Sequence, residues 1–205
     1  MRVITISREF GSGGRELGKR LAEALNIPYY DQQILDLVAE KENVARGVVE
    51  GISEKDMRSF YPMTIARGFA NNHYTSLQSA KLLASEHEII KSLAKKGDCV
   101  IVGRAADVVL AGEDVFSIFV CANAQSKLAR CHARAQAGEV MTDKEMLRKC
   151  REIDKRRASY RGMFTDKKWG DASGYHLCVN TSGKEIKALV PAIADYVEKW
   201  FAEGK

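Results

Sequence analysis

No stretch of this chain approaches the roughly 20 consecutive apolar residues that a membrane-spanning helix needs, which excludes a transmembrane segment and a membrane partner. The opening residues Met1–Ile6 read as a strand and lack the apolar core and cleavage site of a signal peptide, so the expected location is the cytoplasm. The five cysteines, Cys99, Cys121, Cys131, Cys150 and Cys178, are odd in number and form no C-x-x-C pair. Neither a disulfide framework nor a zinc site is indicated, and thiols inside apolar runs act as small hydrophobes. No recognised nucleic-acid module is present, and few aromatics interleave the basic residues, so nucleic acid is not the expected partner. Internal repeats and low-complexity segments are also lacking.

What is present is a chain of 205 residues, enough for one domain or for a core with a mobile subdomain. The net charge of +5 is unevenly placed: Arg130, Arg134, Arg148, Arg151, Arg156, Arg157 and Arg161 fall in one stretch with three lysines. Such a run is either a solvated helix face or an arginine surface for a polyanion, because guanidinium matches phosphate bidentately.

Five short apolar runs, Val3–Ser7, Pro28–Asp31, Cys99–Val102, Val115–Val120 and His176–Asn180, lack polar alternation and predict parallel strands buried on both faces. Helical spacing is expected over Gly14–Leu25, Gln32–Lys41, Leu82–Lys95, Ala124–Ala137, Asp143–Tyr160 and Lys184–Phe201. The alternation implies right-handed crossovers and a doubly wound α/β fold with a five-stranded parallel sheet. Residues 42–79 contain no convincing strand and read as a helical insertion. The arginine-rich helices at 126–164 form a second addition, hinged near Gly138. The core is then residues 1–41, 80–125 and 165–205 of a single domain. The insertion's Met57, Phe60, Tyr61, Met63, Ile65 and Phe69 offer a surface for a homodimer.

The strongest local signal is Ser7-Arg8-Glu9-Phe10-Gly11-Ser12-Gly13-Gly14-Arg15-Glu16-Leu17, directly after the first strand. Three glycines in four residues let successive N–H groups converge, and the following helix adds its positive dipole end. A strand, a glycine-rich loop and a helix in that order form the phosphate cradle of P-loop kinases. An ordinary glycine-rich turn is the competing account of the motif alone.

This loop, with Ile27-Pro28-Tyr29-Tyr30-Asp31, Cys99-Val100-Ile101-Val102-Gly103-Arg104-Ala105-Ala106-Asp107, the arginine cluster, Lys168-Trp169-Gly170-Asp171, Tyr175 and Leu177–Ser182, resembles the cytidylate kinase-like proteins over nearly the whole chain. The resemblance implies a P-loop NTPase-like fold with a helical nucleoside monophosphate-binding insertion and an arginine-rich lid. It implies ATP, with Mg²⁺, on Gly11, Ser12, Gly13, Gly14, Arg15 and Glu16. Asp31, Arg104, Asp107 and Arg161 would bind the acceptor. Arg15, Arg130, Arg134, Arg156 and Arg157 would stabilise the transferring phosphoryl group. Asp31 also suits an N-cap of the next helix, and Thr181 or Ser182 a cap of the last. For Trp169 and Tyr175 packing is the expected role.

The departures matter. A P-loop normally reads G-x-x-x-x-G-K-[ST], the lysine reaching the β/γ-phosphates and the hydroxyl holding Mg²⁺. An ungapped register puts Gly14 at the lysine and Arg15 at the hydroxyl; a slide by one puts Arg15 and Glu16 there. Arginine can supply the charge, and Glu16 is the candidate metal ligand. Ala105 and Val102 stand where cytidylate kinases carry aspartates, which leaves cytosine specificity open. The reading is a phosphotransferase acting on a nucleoside monophosphate or another small phosphorylated metabolite. The alternative is a nucleotide- or anion-binding sensor that has lost transfer.

Overall fold

The computed structural model describes residues 1–54, 69–134 and 141–203. The central strand β1 (Val3–Arg8) lies between β3 (Cys99–Val102) and β4 (Val115–Cys121). The outer strands are β2 (Tyr29–Tyr30), beside β3, and β5 (Leu177–Asn180), beside β4. All pairings are parallel in the order β2-β3-β1-β4-β5, with Ile4 opposite Val100 on one side and Phe116 on the other. The doubly wound five-stranded sheet is therefore the observed fold.

Why the apolar runs do not alternate is plain from the packing. Ile4, Ile6, Val100, Val102, Phe116 and Ile118 meet Leu17, Leu21 and Leu25 of α1 (Gly14–Leu25) and Val190, Ile193 and Val197 of α8 (Ile186–Glu203). On the opposite face Val3, Cys99 and Ile101 meet Ile34, Leu35 and Val38 of α2 (Gln33–Glu42), Val49 of α3 (Arg46–Glu54) and Leu82, Ile90 and Leu93 of α4 (Phe69–Lys95). Strands β1, β3 and β4, coated on both sides, have no solvent face on which polar residues could alternate; the edge strand β5 departs from the expectation, with Cys178 and Asn180 exposed between half-buried Leu177 and Val179. Each fully buried Leu or Ile in these layers contributes about 1.5–3 kcal/mol.

Helix ends follow local chemistry. Both α1 and α2 stop at an asparagine in the left-handed region, Asn26 and Asn43, each with φ of 51°. The first turn of α7 (Asp143–Arg161) carries a capping box between Thr142 and Glu145. Its partner is α6 (Ala124–Arg134). Several expectations need correction. The fourth helix starts at Phe69 rather than Leu82, and the last at Ile186 rather than Lys184. A short helix, α5 (Ala106–Val109), follows β3 unannounced by any periodicity because it is only one turn long. The hinge near Gly138 and the apolar residues Met57, Phe60, Tyr61, Met63 and Ile65 lie outside the described residues, as does the side chain of Phe69. All five cysteines are free. No described helix is long and apolar enough to cross a membrane.

Candidate functional site

Between Arg8 and Gly14 the backbone bends twice through the left-handed region, at Gly11 (φ +73°) and Gly13 (φ +82°). A Cβ on Gly11 would stand 3.1 Å from Lys127 Cβ, and one on Gly13 would stand 2.9 Å from Ile186 Cγ1. Glycine is needed there for both backbone and space. Ser12 is fully buried and its Oγ donates to Glu9 O at 2.8 Å, closing the turn on itself. Among the described residues no acceptor meets the N–H of Gly11, Gly13, Gly14, Arg15 or Glu16. The last three are first-turn donors that no intrahelical carbonyl can reach, at the positive end of a 12-residue helix. That is an anion cradle. It opens into a cleft of about 390 Å³ whose walls include eight arginines: Arg8, Arg15, Arg104, Arg130, Arg134, Arg156, Arg157 and Arg161.

The two arginine-rich helices are docked on the loop. Arg130 donates to the carbonyls of Gly11 (3.4 Å), Ser12 (3.3 Å), Thr181 (2.8 Å) and Lys184 (3.0 Å), and to Thr181 Oγ1 (3.0 Å). Thr181 Oγ1 in turn donates to Ser12 O at 2.7 Å, so this residue braces the loop and does not cap α8. From α7, Asp154 accepts the Phe10 N–H at 2.6 Å and Arg157 donates to Arg8 O at 2.9 Å. Lys127 ties Glu9 (3.0 Å) to Asp154 (3.5 Å). Burial raises the Asp154 carboxyl above its ordinary range despite the Phe10 N–H and the cations beside it. Arg134 pairs with Glu16 at 2.8 Å, and Glu16 also holds Arg20 at 2.9 Å. Arg130→Ala is expected to cost about 2–3 kcal/mol of stability, the loss of several hydrogen bonds from a charged donor, measured by chemical denaturation.

Against Arg8 and Arg15 of the cleft wall, Asp31 is 5% exposed. Arg15 Nε lies 2.6 Å from it and Arg8 3.7 Å, and the Tyr29 hydroxyl donates to it at 3.3 Å. Burial, reinforced by Asp31, pushes the Tyr29 phenol up to about 12. The N-cap of α2 is Gln32, so Asp31 serves the arginines rather than the helix end. After β3 the chain makes three successive left-handed residues, Gly103 (φ +81°), Arg104 (+58°) and Ala105 (+48°). Holding two non-glycine residues there is strain of the kind that accumulates at working sites. The Arg104 side chain lines the cleft and makes no hydrogen bond or ion pair among the described residues. Arg156 lines it too.

Asp107 and Arg161 are brought together with each other: Asp107 Oδ2 is 2.9 Å from both Nε and Nη2 of Arg161, and the side chains are 6% and 4% exposed. Arg161 also donates to Lys167 O at 2.7 Å and lies over the Tyr175 ring. Trp169 stands at the cleft wall, edge-on to Phe119 at 5.2 Å. Among the described residues no three His, Cys, Asp or Glu side chains are placed to hold a metal. Five side chains that the spacing of motifs did not single out, Arg8, Glu9, Lys127, Asp154 and Thr181, build the site's frame. Arg8 and Glu9, inside the glycine motif, carry a signal in the sequence, and Thr181 reads there as a helix cap; Lys127 and Asp154 have no assigned role in the site.

A family model described as the cytidylate kinase-like family matches residues 3–183. The chain belongs to the cytidylate kinase-like family. Its fold is similar to an uncharacterised protein from Eubacterium ventriosum, 25% identical over 97% of this chain and 99% of the other, with a TM-score of 0.70. Shikimate kinase from Bacteroides thetaiotaomicron (16% identity, 96% and 98% covered, TM-score 0.56) shares it. So does shikimate kinase from Acinetobacter baumannii in complex with shikimate (14%, 97% and 94%, 0.52). No curated protein matches the chain. Within this cytidylate kinase-like frame, the aspartate-lacking positions now have a setting: Val102 is fully buried in β3, and Ala105 is the third residue of the left-handed turn.

Proposed function

We propose that this chain is a phosphotransferase that moves the γ-phosphoryl group of ATP to a nucleoside monophosphate or a similar small anionic acceptor. One observation carries the proposal: a turn of N–H groups with no acceptor among the described residues opens into a cleft walled by eight arginines. No neutral ligand would relieve that much positive charge, whereas two phosphate-bearing ligands would.

The N–H groups of Gly11, Gly13, Gly14, Arg15 and Glu16 hold the nucleotide's phosphate tail. Arg104, presented by its strained turn, binds the acceptor's anionic group, and Asp31 orients Arg15 and Arg8 at the junction. Arg156 and Arg157 face the transferring group from α7. Catalysis is then alignment plus fixed charge, as phosphoryl transfer requires, with the acceptor oxygen forming a bond to phosphorus as the bridging oxygen of ATP leaves. A phosphate nucleophile needs no general base. Mg²⁺ neutralises phosphate charge in such reactions; Glu16, tied to Arg134 and Arg20, would have to release one of them to ligate it.

The second reading is a nucleotide or anion sensor without transfer. Gly14 has no side chain at the lysine position, and Glu16 is already paired, which favours it. A thermal-shift panel of ATP and ADP with and without Mg²⁺, followed by a transfer assay over nucleoside monophosphates and small phosphorylated or carboxylated acceptors, separates the two. Transfer should be measurable, and Arg104→Ala should raise the acceptor KM about 10- to 100-fold, the loss of a charge-assisted pair, while leaving ATP affinity unchanged. ATP-induced stabilisation with no transfer to any acceptor would support the sensor. Absence of any stabilisation would remove both readings.

A further inference from the structure

The standard motif G-x-x-x-x-G-K-[ST] can be laid on this loop with Arg8 at the first glycine, Gly13 at the second, Gly14 at the lysine and Arg15 at the hydroxyl. Two positions six residues apart have thus exchanged character: a side chain appears where there should be none, and vanishes where the lysine should be. The structure ties the two changes to each other. A Cβ on Gly14 would collide with Arg8 Cβ and stand 2.9 Å from Arg8 Cγ. A long side chain can leave the end of β1 or the start of α1, but not both.

The Arg8 side chain takes that space and runs on across the cleft floor, 15% exposed. Its guanidinium ends against Gly103, whose missing side chain makes room for Nη1, and its only ion-pair partner among the described residues is Asp31 at 3.7 Å. That distance is too long for a hydrogen bond, so among the described residues its five N–H donors have no acceptor within reach. Arg157, Arg104 and Arg15 surround it and, after burial itself, push its pKa down to about 9; only Asp31 opposes them. A confined cation among cations gains more from an arriving polyanion than any exposed arginine of the cleft does.

We infer that Arg8 is the residue that grips the phosphoryl group in this site, doing from the end of β1 what a P-loop lysine does from the start of α1. This rests on the phosphotransferase reading for its role in transfer, but not for its role in holding phosphate. The guanidinium lies between the glycine turn and the Gly103–Arg104 turn, where the donor's terminal phosphate and the acceptor would meet. Arg15 is a weaker candidate for that role because its Nε is engaged by Asp31 at 2.6 Å and its side chain is 54% exposed.

The test is titration calorimetry with inorganic tripolyphosphate and with ATP on the full chain, alongside the transfer assay. Arg8→Gln keeps the Cβ–Cγ stem and a polar tip while removing the charge and the guanidinium; it should weaken tripolyphosphate binding by about 10- to 100-fold, the worth of hydrogen bonds to a charged group. The pair Arg8→Gly with Gly14→Lys rebuilds the standard arrangement and should recover binding to within about tenfold of wild type, the spread expected when Lys replaces Arg at a phosphate. Arg8→Gln binding tripolyphosphate as tightly as wild type would overturn the inference, whether or not the double variant folds. So would a wild type that binds no tripolyphosphate. Wild type that binds it, loses that binding in Arg8→Gln, and still transfers nothing sustains the inference while removing the kinase reading. Transfer in wild type with Arg8→Gln unimpaired does the reverse.

Discussion

Arg161→Ala is expected to lower the unfolding free energy by about 3–5 kcal/mol, because it strands a buried carboxylate. Asp107 is left without the guanidinium that holds its Oδ2 at 2.9 Å, in a place where its side chain is 6% exposed. For a chain of this size the loss corresponds to a fall in Tm of roughly 6–20 °C, read by calorimetry. The family resemblance implies an acceptor-binding role for both residues, whereas the geometry pairs them with one another. The combined change Arg161→Met with Asp107→Leu separates these roles. Removing both charges together takes away the desolvation penalty with the attraction, so most of the stability should return. A remainder of about 1–3 kcal/mol is expected, since Lys167 O loses the donor it has at 2.7 Å. If the pair is structural, the double variant keeps its acceptor KM at temperatures where it is folded. An acceptor KM raised tenfold or more in that folded variant would return Arg161 to the substrate.

That case shows where reading the chain alone reaches its limit. Strands β1, β3 and β4 were legible because uninterrupted β-branched runs have one good environment, between two helical layers. The first helix was legible for a related reason, with Leu17, Leu21 and Leu25 on one face and glycines before its start. The strand–glycine–helix cradle follows from those two elements. The allocation of the arginines does not. Arg130 and Arg134 share one helix face, yet one grips four backbone carbonyls while the other meets Glu16. Spacing reports which way a side chain leaves its helix, not which acceptor the tertiary fold puts in front of it. Asp31 and Thr181 were ambiguous for the same reason, each having a local capping role that tertiary partners displaced. Arg8 reads in the sequence as the first residue of the phosphate loop, with no role of its own. Only the absence of side chains at Gly14 and Gly103, distant in the chain and lying against the two ends of the Arg8 side chain, reveals that it has been given a path.

That path makes the two glycines unequal, and Gly103→Ala should be the more damaging to function. A Cβ on Gly103 meets the tip of Arg8, Nη1, which can swing aside. The stability cost is then mainly that of a non-glycine residue at φ +81°, about 1–2 kcal/mol. The guanidinium, however, is displaced by more than an ångström from the meeting point of donor and acceptor, and misplacement on that scale costs on the order of 100-fold in turnover. A Cβ on Gly14 instead meets Arg8 at its own Cβ, which is anchored to the end of β1 and cannot swing away. Gly14→Ala should therefore act on the fold, destabilising it by about 1–3 kcal/mol through overpacking. The decisive measurement is a cycle of Gly103→Ala with Arg8→Gly on kcat/KM. If the alanine acts by moving the guanidinium, it should do little further harm once Arg8 is gone, and the two effects will be far from additive. Full additivity would mean that Gly103 matters for the Arg104 turn alone, and that the arginine leaving β1 is not the group that the turn was shaped around.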